Sequence, residues 1–546
     1  MSASNKKKLR HAEKAAKMTE RQIQAQAEAK KLNLYTTLFV AVLAVLLVAA
    51  VTIGAIKTIQ GSGIRERSTT ALTVGNHEIS NAELSYYYVD AINSFLNDYG
   101  SYAYLFGLDT TKPLNEQFVD EENGITWADD FLTSAKGNIR SVYTMLDAAA
   151  EAGYTLPAES EAQIDTALQN LEAYALLYGY GDAETYIKAM YGKGSTLESY
   201  KEYCCNTVLA DAFRTNYAAS LTYEDADLRA HEEGHYNAFS SYSYNYYYLA
   251  TSRFLEGGTT DENGNTTYSD AEKAASVEAA EAAAKTLTAD TINSVESLET
   301  ALNRLSINEG TEATTIACDD YLSTSILSVA YDWIIDDARQ EGDLTYFPST
   351  STSTDADGNE VVTTSGYYVV FYRGCNDNKF PVINARHILV GFEGGLYDES
   401  TGVTTYSDEE KQAAWTKAEE LLAQWKEGEA TEDSFAALAN ENSDDTGSNT
   451  VGGLYTNIYP GQMVEPFETW CYDEHEAGDT GLVETTYGVH IMYYVGESDT
   501  TYRDLMITAE LISNATTEWY NALLEGTTVV EVDTQYINKG LIISAG

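Results

Sequence analysis

The strongest constraint on how this chain folds is that part of it is written twice. The stretch "EGGTTDENGNTTYSDAEKAA" (Glu256 to Ala275) returns as "EGGLYDESTGVTTYSDEEKQAA" (Glu393 to Ala414). Each reads as a strand exit, a polar hairpin and a helix opened by a Ser-x-x-Glu capping box, at Ser269/Glu272 and at Ser407/Glu410. The match continues in order: "ESLETALNRLS" (Glu296 to Ser306) tracks "DSFAALANENS" (Asp433 to Ser443), and "RQEGDL…SGYYVVFYRG" tracks "HEAGDT…YGVHIMYYVG". A repeat of this length and order means one supersecondary unit used twice. Residues 241–378 and 379–497 are therefore expected to be tandem copies of one α+β module.

The copies differ where chemistry would sit. The second holds two histidines in apolar, strand-like settings, His387 in "ARHILV" and His490 in "TTYGVHIMYY". Opposite His387 the first copy offers Tyr247 or Ala250, depending on where a three-residue gap is placed. Asn308 stands opposite Asp445, and Tyr368 opposite His490. A lone strand histidine ordinarily just satisfies its own hydrogen bonds. Here two imidazoles and a neighbouring acid disappear together from the sister copy, which points to chemistry rather than packing. The apolar "GGLYTNIYPGQMVEPF" also has no counterpart there, and the first module reads as degenerate.

A chain of 546 residues, 44% of them apolar, has material for several cores. Residues 1–33 carry nine Lys/Arg against three Glu, the flank expected on the cytoplasmic side of a membrane. From Leu34 to Ile56 there are 23 residues without a charge, enough helix to cover roughly 30 Å of hydrocarbon. The run is too long for a signal peptide and lacks a convincing cleavage site. The first cysteine is Cys204, so no lipoprotein cysteine follows it. Residues 34–56 are expected to be an uncleaved transmembrane helix with the amino terminus inside the cell, followed by a linker over 57–71.

Beyond Asn33 stand 24 basic and 81 acidic residues, a formal charge of −57. That excludes nucleic acid as a natural partner and favours solubility at a crowded surface. The five cysteines, odd in number and including the adjacent pair Cys204-Cys205, read as small core residues rather than a disulfide framework. Residues 72–240 begin with a short hairpin, "LTVGNHEIS", and a capping box at Ser80/Glu83, then continue with helical periodicity broken at Gly. This helical domain is rich in tyrosine, which builds its core or lines an adaptable peptide cradle. Residues 498–546 read as a helix and a strand-like tail that close back on the helical domain.

"ARHILV", "SFAALANENSDD", "GGL", "PGQMVEPFETW" and "AGDTGLVETTYGVHIM" resemble, in order and spacing, the parvulin-type peptidyl-prolyl cis/trans isomerases over roughly 115 residues. The surrounding layout is similar to the PrsA/SurA class of secretion foldases, in which segments from both ends of the chain form a chaperone domain. The resemblance implies that His387 and His490 are paired active-site histidines, with Asp445 at a position that is Cys or Asp in the family and Thr485 a nearby hydroxyl. It implies that Leu454, Met463 and Phe467 line the pocket for a proline ring, Met463 and Phe467 being four apart on a short helix. Tyr487 stands where a small Ser is frequent, and Val464 replaces a frequently polar residue. The reaction needs no cofactor, metal or nucleophile. Its expected partners are unfolded or partly folded secreted proteins presenting Xaa-Pro segments, outside the cell membrane.

Two other readings come from different classes. If both modules are scaffolds, the protein is a membrane-tethered holdase without catalysis. The segment "HEEGH" (His231 to His235) fits the H-E-x-x-H zinc pattern of metalloproteases. Its helix is short, weakened by Gly234, and shows no downstream third ligand, so this zinc reading is remote.

Overall fold

The computed structural model describes residues 63–289, 292–305, 307, 311–355, 358–398 and 401–543. The basic tail (1–33) and the expected anchor (34–56) lie outside the described residues. Among the described residues no helix is long and apolar enough to cross a membrane. Two compact units are present. The first gathers the described residues up to Thr222, Asp433–Leu454 and the described residues from Leu511 onward; the second is Tyr223–Glu432 with Tyr455–Glu510.

In the first unit, β1 (Thr70–Val74) pairs antiparallel with β2 (His77–Ser80) on one side and with the strand Val529–Glu531 on the other. Helix α1 (Asn81–Tyr99) follows directly, capped by the Ser80 side chain accepting from the Glu83 N–H. The reciprocal half of the expected capping box is replaced: the Glu83 carboxylate accepts instead from the Tyr143 hydroxyl at 2.5 Å, and burial pushes its pKa up. Helices α2 (Trp127–Glu151), α3 (Ala158–Leu177), α4 (Ala183–Tyr191) and α5 (Leu197–Ser220) complete the bundle. Tyr86, Tyr87, Tyr88, Tyr186, Tyr191 and Tyr200 are buried in one cluster with Leu84, Ile139 and Leu171. Here the tyrosines are core, stacked edge and face within 5.0–6.0 Å of one another, as Tyr86, Tyr191, Tyr200 and Tyr203 show.

The second unit opens with α6 (Asp225–Glu232) and then contains the repeat except for Asp433–Leu454, which belongs to the first unit. The first copy runs β3 (Ser241–Ala250), α7 (Asp270–Ala289), α8 (Val295–Arg304), β4 (Ile316–Leu322), α9 (Tyr331–Ile334), β5 (Leu344–Thr354) and β6 (Glu360–Asn376). The second runs β7 (Pro381–Gly391), α10 (Asp408–Glu427), α11 (Glu432–Asn442), β8 (Leu454–Ile458), α12 (Glu465–Tyr472), β9 (Thr480–Thr485) and β10 (Gly488–Thr501), and leads into α13 (Tyr502–Glu525). Their sheets have the same order, β4-β3-β6-β5 and β8-β7-β10-β9.

The likeness extends to single atoms. Glu272 Oε1 accepts from the Gly258 N–H and Glu410 Oε1 from the Gly395 N–H, both at 2.9 Å, while each carboxylate also closes its Ser-x-x-Glu box. Helix α7 buries Ser276, Ala280 and Leu287, and α10 buries Ala414, Ala418 and Trp425 at the matching positions. These positions recur at helical spacing, so one face of each helix is covered. In each copy a glycine opens the stretch of the last strand that pairs with the first, for a steric reason: a Cβ at Gly488 would lie 2.2 Å from the Val390 carbonyl oxygen, and one at Gly366 would lie 2.7 Å from that of Leu249. Gly488 also sits at φ +150°, where side chains are strained. Of the cysteines, which the sequence reads as core residues, Cys318 and Cys471 are buried and Cys204 and Cys205 half-buried, but Cys375, near the end of β6, is exposed.

Candidate active site

His387 lies on β7 and His490 on β10, central neighbours in their sheet. His387 is opposite Met492 and Leu389 opposite His490, so the two histidines are diagonal neighbours on one face. Alternation puts Ile383, Ala385 and His387 on that face, and Met492 and Tyr494 line it from β10 beside Phe467 and Cys471 of α12. Both imidazoles are buried, 3% and 5% exposed. Their Nδ1 atoms are 2.9 Å apart, with ring centroids 5.0 Å apart at 20°.

A contact of that kind holds one proton between two nitrogens, so one ring donates and the other accepts. The second nitrogen of His490, Nε2, is 2.8 Å from Thr485 Oγ1, which itself accepts from the Tyr487 N–H at 3.1 Å. A continuous chain therefore runs from backbone amide to hydroxyl to imidazole to imidazole. Thr485 faces inward because Glu484 beside it faces the other side of the sheet. There the Glu484 carboxylate takes the Trp415 indole N–H at 2.7 Å and Lys411 at 3.0 Å, and these bonds hold its pKa below the usual range, the Trp415 bond foremost.

Phe467 presents its edge to both imidazoles, at centroid distances of 5.4 Å and angles of 82° and 84°. Its location one turn into α12 follows from Val464 as N-cap and Pro466 in the first turn. Met463 packs against the same cluster but precedes the helix, so Met463 and Phe467 do not share it as expected. Tyr487 is 64% exposed at the tip of the β9–β10 turn, and Val464 is 37% exposed. Tyr455 of β8 was not anticipated: its ring is 5.4 Å from that of His387 and 6.3 Å from that of Phe467. The only hint was its place beside Leu454 in an alternating run.

Asp445 and Leu454 fall within Asp433–Leu454, in the first unit. The Asp445 carboxylate accepts from the Ser448 hydroxyl at 2.5 Å and the Gly447 N–H at 3.0 Å, closing a turn after α11. Leu454 is half-buried at the start of β8.

The HEEGH segment has other work. Helix α6 ends at Glu232, so His235 is not one helical turn from His231 on a shared helix. His231 Nε2 is 3.1 Å from Glu510, and Glu232 receives Arg503 Nε at 2.7 Å. Arg503, 1% exposed, also donates to Ser240, to the Asp377 carbonyl and to the Tyr236 carbonyl, and stacks on the Tyr236 ring at 4.2 Å. A buried guanidinium needs such a complete set of partners, and here it ties the approach to β3, the β6–β7 connection and the start of α13 into one junction. Among the described residues no group of three or more His, Cys, Asp or Glu could hold a metal ion.

Residues 372–497 match the PPIC-type PPIASE domain. Foldase protein PrsA 1 of Listeria innocua is 35% identical over 120 residues, 22% of this chain and 32% of that protein. Foldase protein PrsA 3 of Bacillus cereus is 41% identical over 76 residues, 14% of this chain and 27% of that protein. The chain thus spans about a third or less of the curated relatives it matches. A crystal structure of peptidylprolyl isomerase (PrsA) from Bacillus anthracis aligns at 25% identity over 27% of this chain and 59% of that one, with a TM-score of 0.17. PrsA from Bacillus subtilis aligns at 16% identity over 73% and 85%, with a TM-score of 0.26. At those scores neither alignment bears on the arrangement of the site. The chain carries a parvulin-type peptidyl-prolyl isomerase domain in its second module.

Proposed function

We propose that this protein is a membrane-anchored, extracytoplasmic peptidyl-prolyl cis/trans isomerase and chaperone that assists the folding of secreted proteins. The observation that carries the reading is the buried His387–His490 pair, backed by Thr485 and edged by Phe467, inside the segment that matches the isomerase domain. The anchor rests on the uncharged run Leu34 to Ile56 behind its basic flank.

Rotation about an Xaa-Pro bond is opposed by roughly 18–20 kcal/mol of lost amide resonance, and unaided exchange takes tens to hundreds of seconds. It is slow enough to limit folding. The twisted amide has less charge separation than the planar one and a more basic nitrogen, so an apolar wall and a fixed donor favour the transition state over the ground state. In this reading Phe467, Met463 and Tyr455 form the wall. The hydrogen-bonded chain through Thr485, His490 and His387 fixes each ring's tautomer and the polarity the substrate meets. None of these groups forms a bond to substrate. The roles given to Asp445 as polar partner and to Leu454 as pocket wall rest on the sequence resemblance, and Tyr487 at the turn tip is the rim group a client chain meets.

The deciding experiment is catalysed exchange of a short Xaa-Pro peptide, followed by protease-coupled cleavage or exchange NMR with the full chain. Acceleration that is lost in His387→Ala supports the reading. No acceleration leaves the holdase, whose activity shows as suppressed aggregation of a denatured protein.

A further inference from the structure

On the imidazole-bearing face of the second module, at the other end of α12 from Met463, lies a cavity of about 370 Å³. Ile383 and Cys471 form part of its floor, and the rings of Phe380, Tyr472 and Tyr494 its walls. The walls are held in place. Tyr472 donates its hydroxyl to the Ile458 carbonyl at 2.9 Å and meets Phe380 edge-on at 6.3 Å. Phe380 in turn lies against Tyr502 at 5.8 Å. Two carboxylates, Asp473 and Glu497, line the same cavity, and both are exposed. Among the described residues neither has a lysine or arginine paired with it. Asp473 also caps the carboxy terminus of α12, where the helix dipole adds negative potential.

We infer that this groove is a second, non-catalytic client site that takes a lysine or arginine side chain on an otherwise apolar segment. The stem of such a side chain suits the apolar floor, its cation suits aromatic faces, and Asp473 and Glu497 supply the opposite charge. A bare apolar segment would fill the floor and leave the carboxylates without a role; an acidic one would be repelled. The inference rests on the second module acting on client chains. It adds that this module holds a client at two places: the proline slot and, about 13 Å along β7 from His387 to Ile383 at strand rise, a cationic anchor.

The test uses the full chain and a short, proline-free, fluorescein-labelled peptide with arginines among leucines, read by fluorescence anisotropy. Its twin carries glutamates for the arginines. The arginine peptide is expected to bind and the glutamate peptide not. Asp473→Lys/Glu497→Lys is expected to weaken binding roughly tenfold or more, whereas Glu419→Lys/Glu420→Lys, the same charge change on the exposed side of α10, leaves it within about twofold of wild type. If circular dichroism shows the first pair misfolded, Asp473→Asn/Glu497→Gln carries the test, with a loss of roughly threefold. Equal binding of both peptides, no binding of the arginine peptide, or equal losses from groove and α10 changes would overturn the inference. Because the probe lacks proline, binding is read independently of isomerisation: loss of Xaa-Pro catalysis with intact arginine-peptide binding would sink the enzymatic reading alone.

Discussion

The two modules of this chain share a fold to within single hydrogen bonds, yet one carries an imidazole pair and the other a row of tyrosines. Their strand registers allow a residue-by-residue comparison. In the second copy Leu389 is opposite His490; in the first Tyr248 is opposite Tyr368. Two residues earlier on the same face stand His387 and Tyr246, so Tyr246, rather than Tyr247 or Ala250, occupies the place of His387. Tyr246 and Tyr368 meet edge-on at 5.7 Å, filling with ring area the space that a proton-sharing pair takes in the sister copy. The hydroxyl changes too. Thr485 is opposite Gly488 and Ser349 opposite Gly366, but Ser349 takes a hydrogen bond from Ser365 at 3.2 Å. In the second copy a two-residue turn, Thr486-Tyr487, follows at once; in the first the strands run on to Thr354 and Glu360 as an exposed ribbon. The helix over the face shrinks from Glu465–Tyr472 to Tyr331–Ile334. The lesson is that the scaffold requires the capping boxes, the glycine and the buried helix stripe, and tolerates complete loss of the polar chain.

The sharpest way to break this comparison is to truncate matched residues. His387→Ala or His490→Ala should lower kcat/KM on a short Xaa-Pro peptide about a hundredfold, the scale seen when one fixed polar group leaves a site. Tyr246→Ala should leave it unchanged. Equal losses would mean the modules act as one unit. Next in size is the shared glycine. Gly488→Ala and Gly366→Ala should each destabilise by about 2 kcal/mol, since each Cβ meets a carbonyl oxygen that cannot retreat without disturbing the sheet. Denaturant midpoints measure this, and a null effect at Gly366 would show that the degenerate copy has relaxed. Thr485→Val should then cost about tenfold in kcat/KM by leaving His490 Nε2 without its hydroxyl, while Ser349→Ala should cost nothing.

The smallest effect concerns acid. Glu272 and Glu410 are held below the usual carboxylate range, first by the Gly258 and Gly395 amides and then by their own capping boxes. A depressed folded value means the contribution is present above the unfolded value of 4.5 and is lost as pH falls below it through the folded value. The amide protons of Gly258 and Gly395 should therefore shift together in an NMR titration below pH 4.5. Separate midpoints would show that the two hairpin–helix joints are not equivalent.

Much of this was readable in advance because it is local or periodic. A capping box involves residues three apart, and alternation tells which side of a strand a residue takes. The repeat exposes both through comparison. Where the sequence misled, a longer-range contact had intervened. Ser80/Glu83 reads as a full box, but Tyr143, sixty residues away, captures the Glu83 carboxylate. Met463 and Phe467 have helical spacing, yet Val464 and Pro466 start the helix between them. Tyr455 gave only the hint of its alternating run because its approach to His387 depends on how two strands lie side by side.

By itself, then, the sequence determined that one α+β module occurs twice, that only the second has two strand histidines and a hydroxyl at family spacing, and where the capped helices α7 and α10 begin. These are matters of composition and of neighbours a few residues apart. Only the tertiary structure decided that the two imidazoles share a proton at 2.9 Å, that Thr485 rather than Glu484 backs them, and that Tyr246 replaces His387 in the first copy. The physical reason is register: side chains alternate with a period of two, so sliding one strand past its partner by a single residue turns every side chain to the other face. That choice is made by burial across the whole sheet.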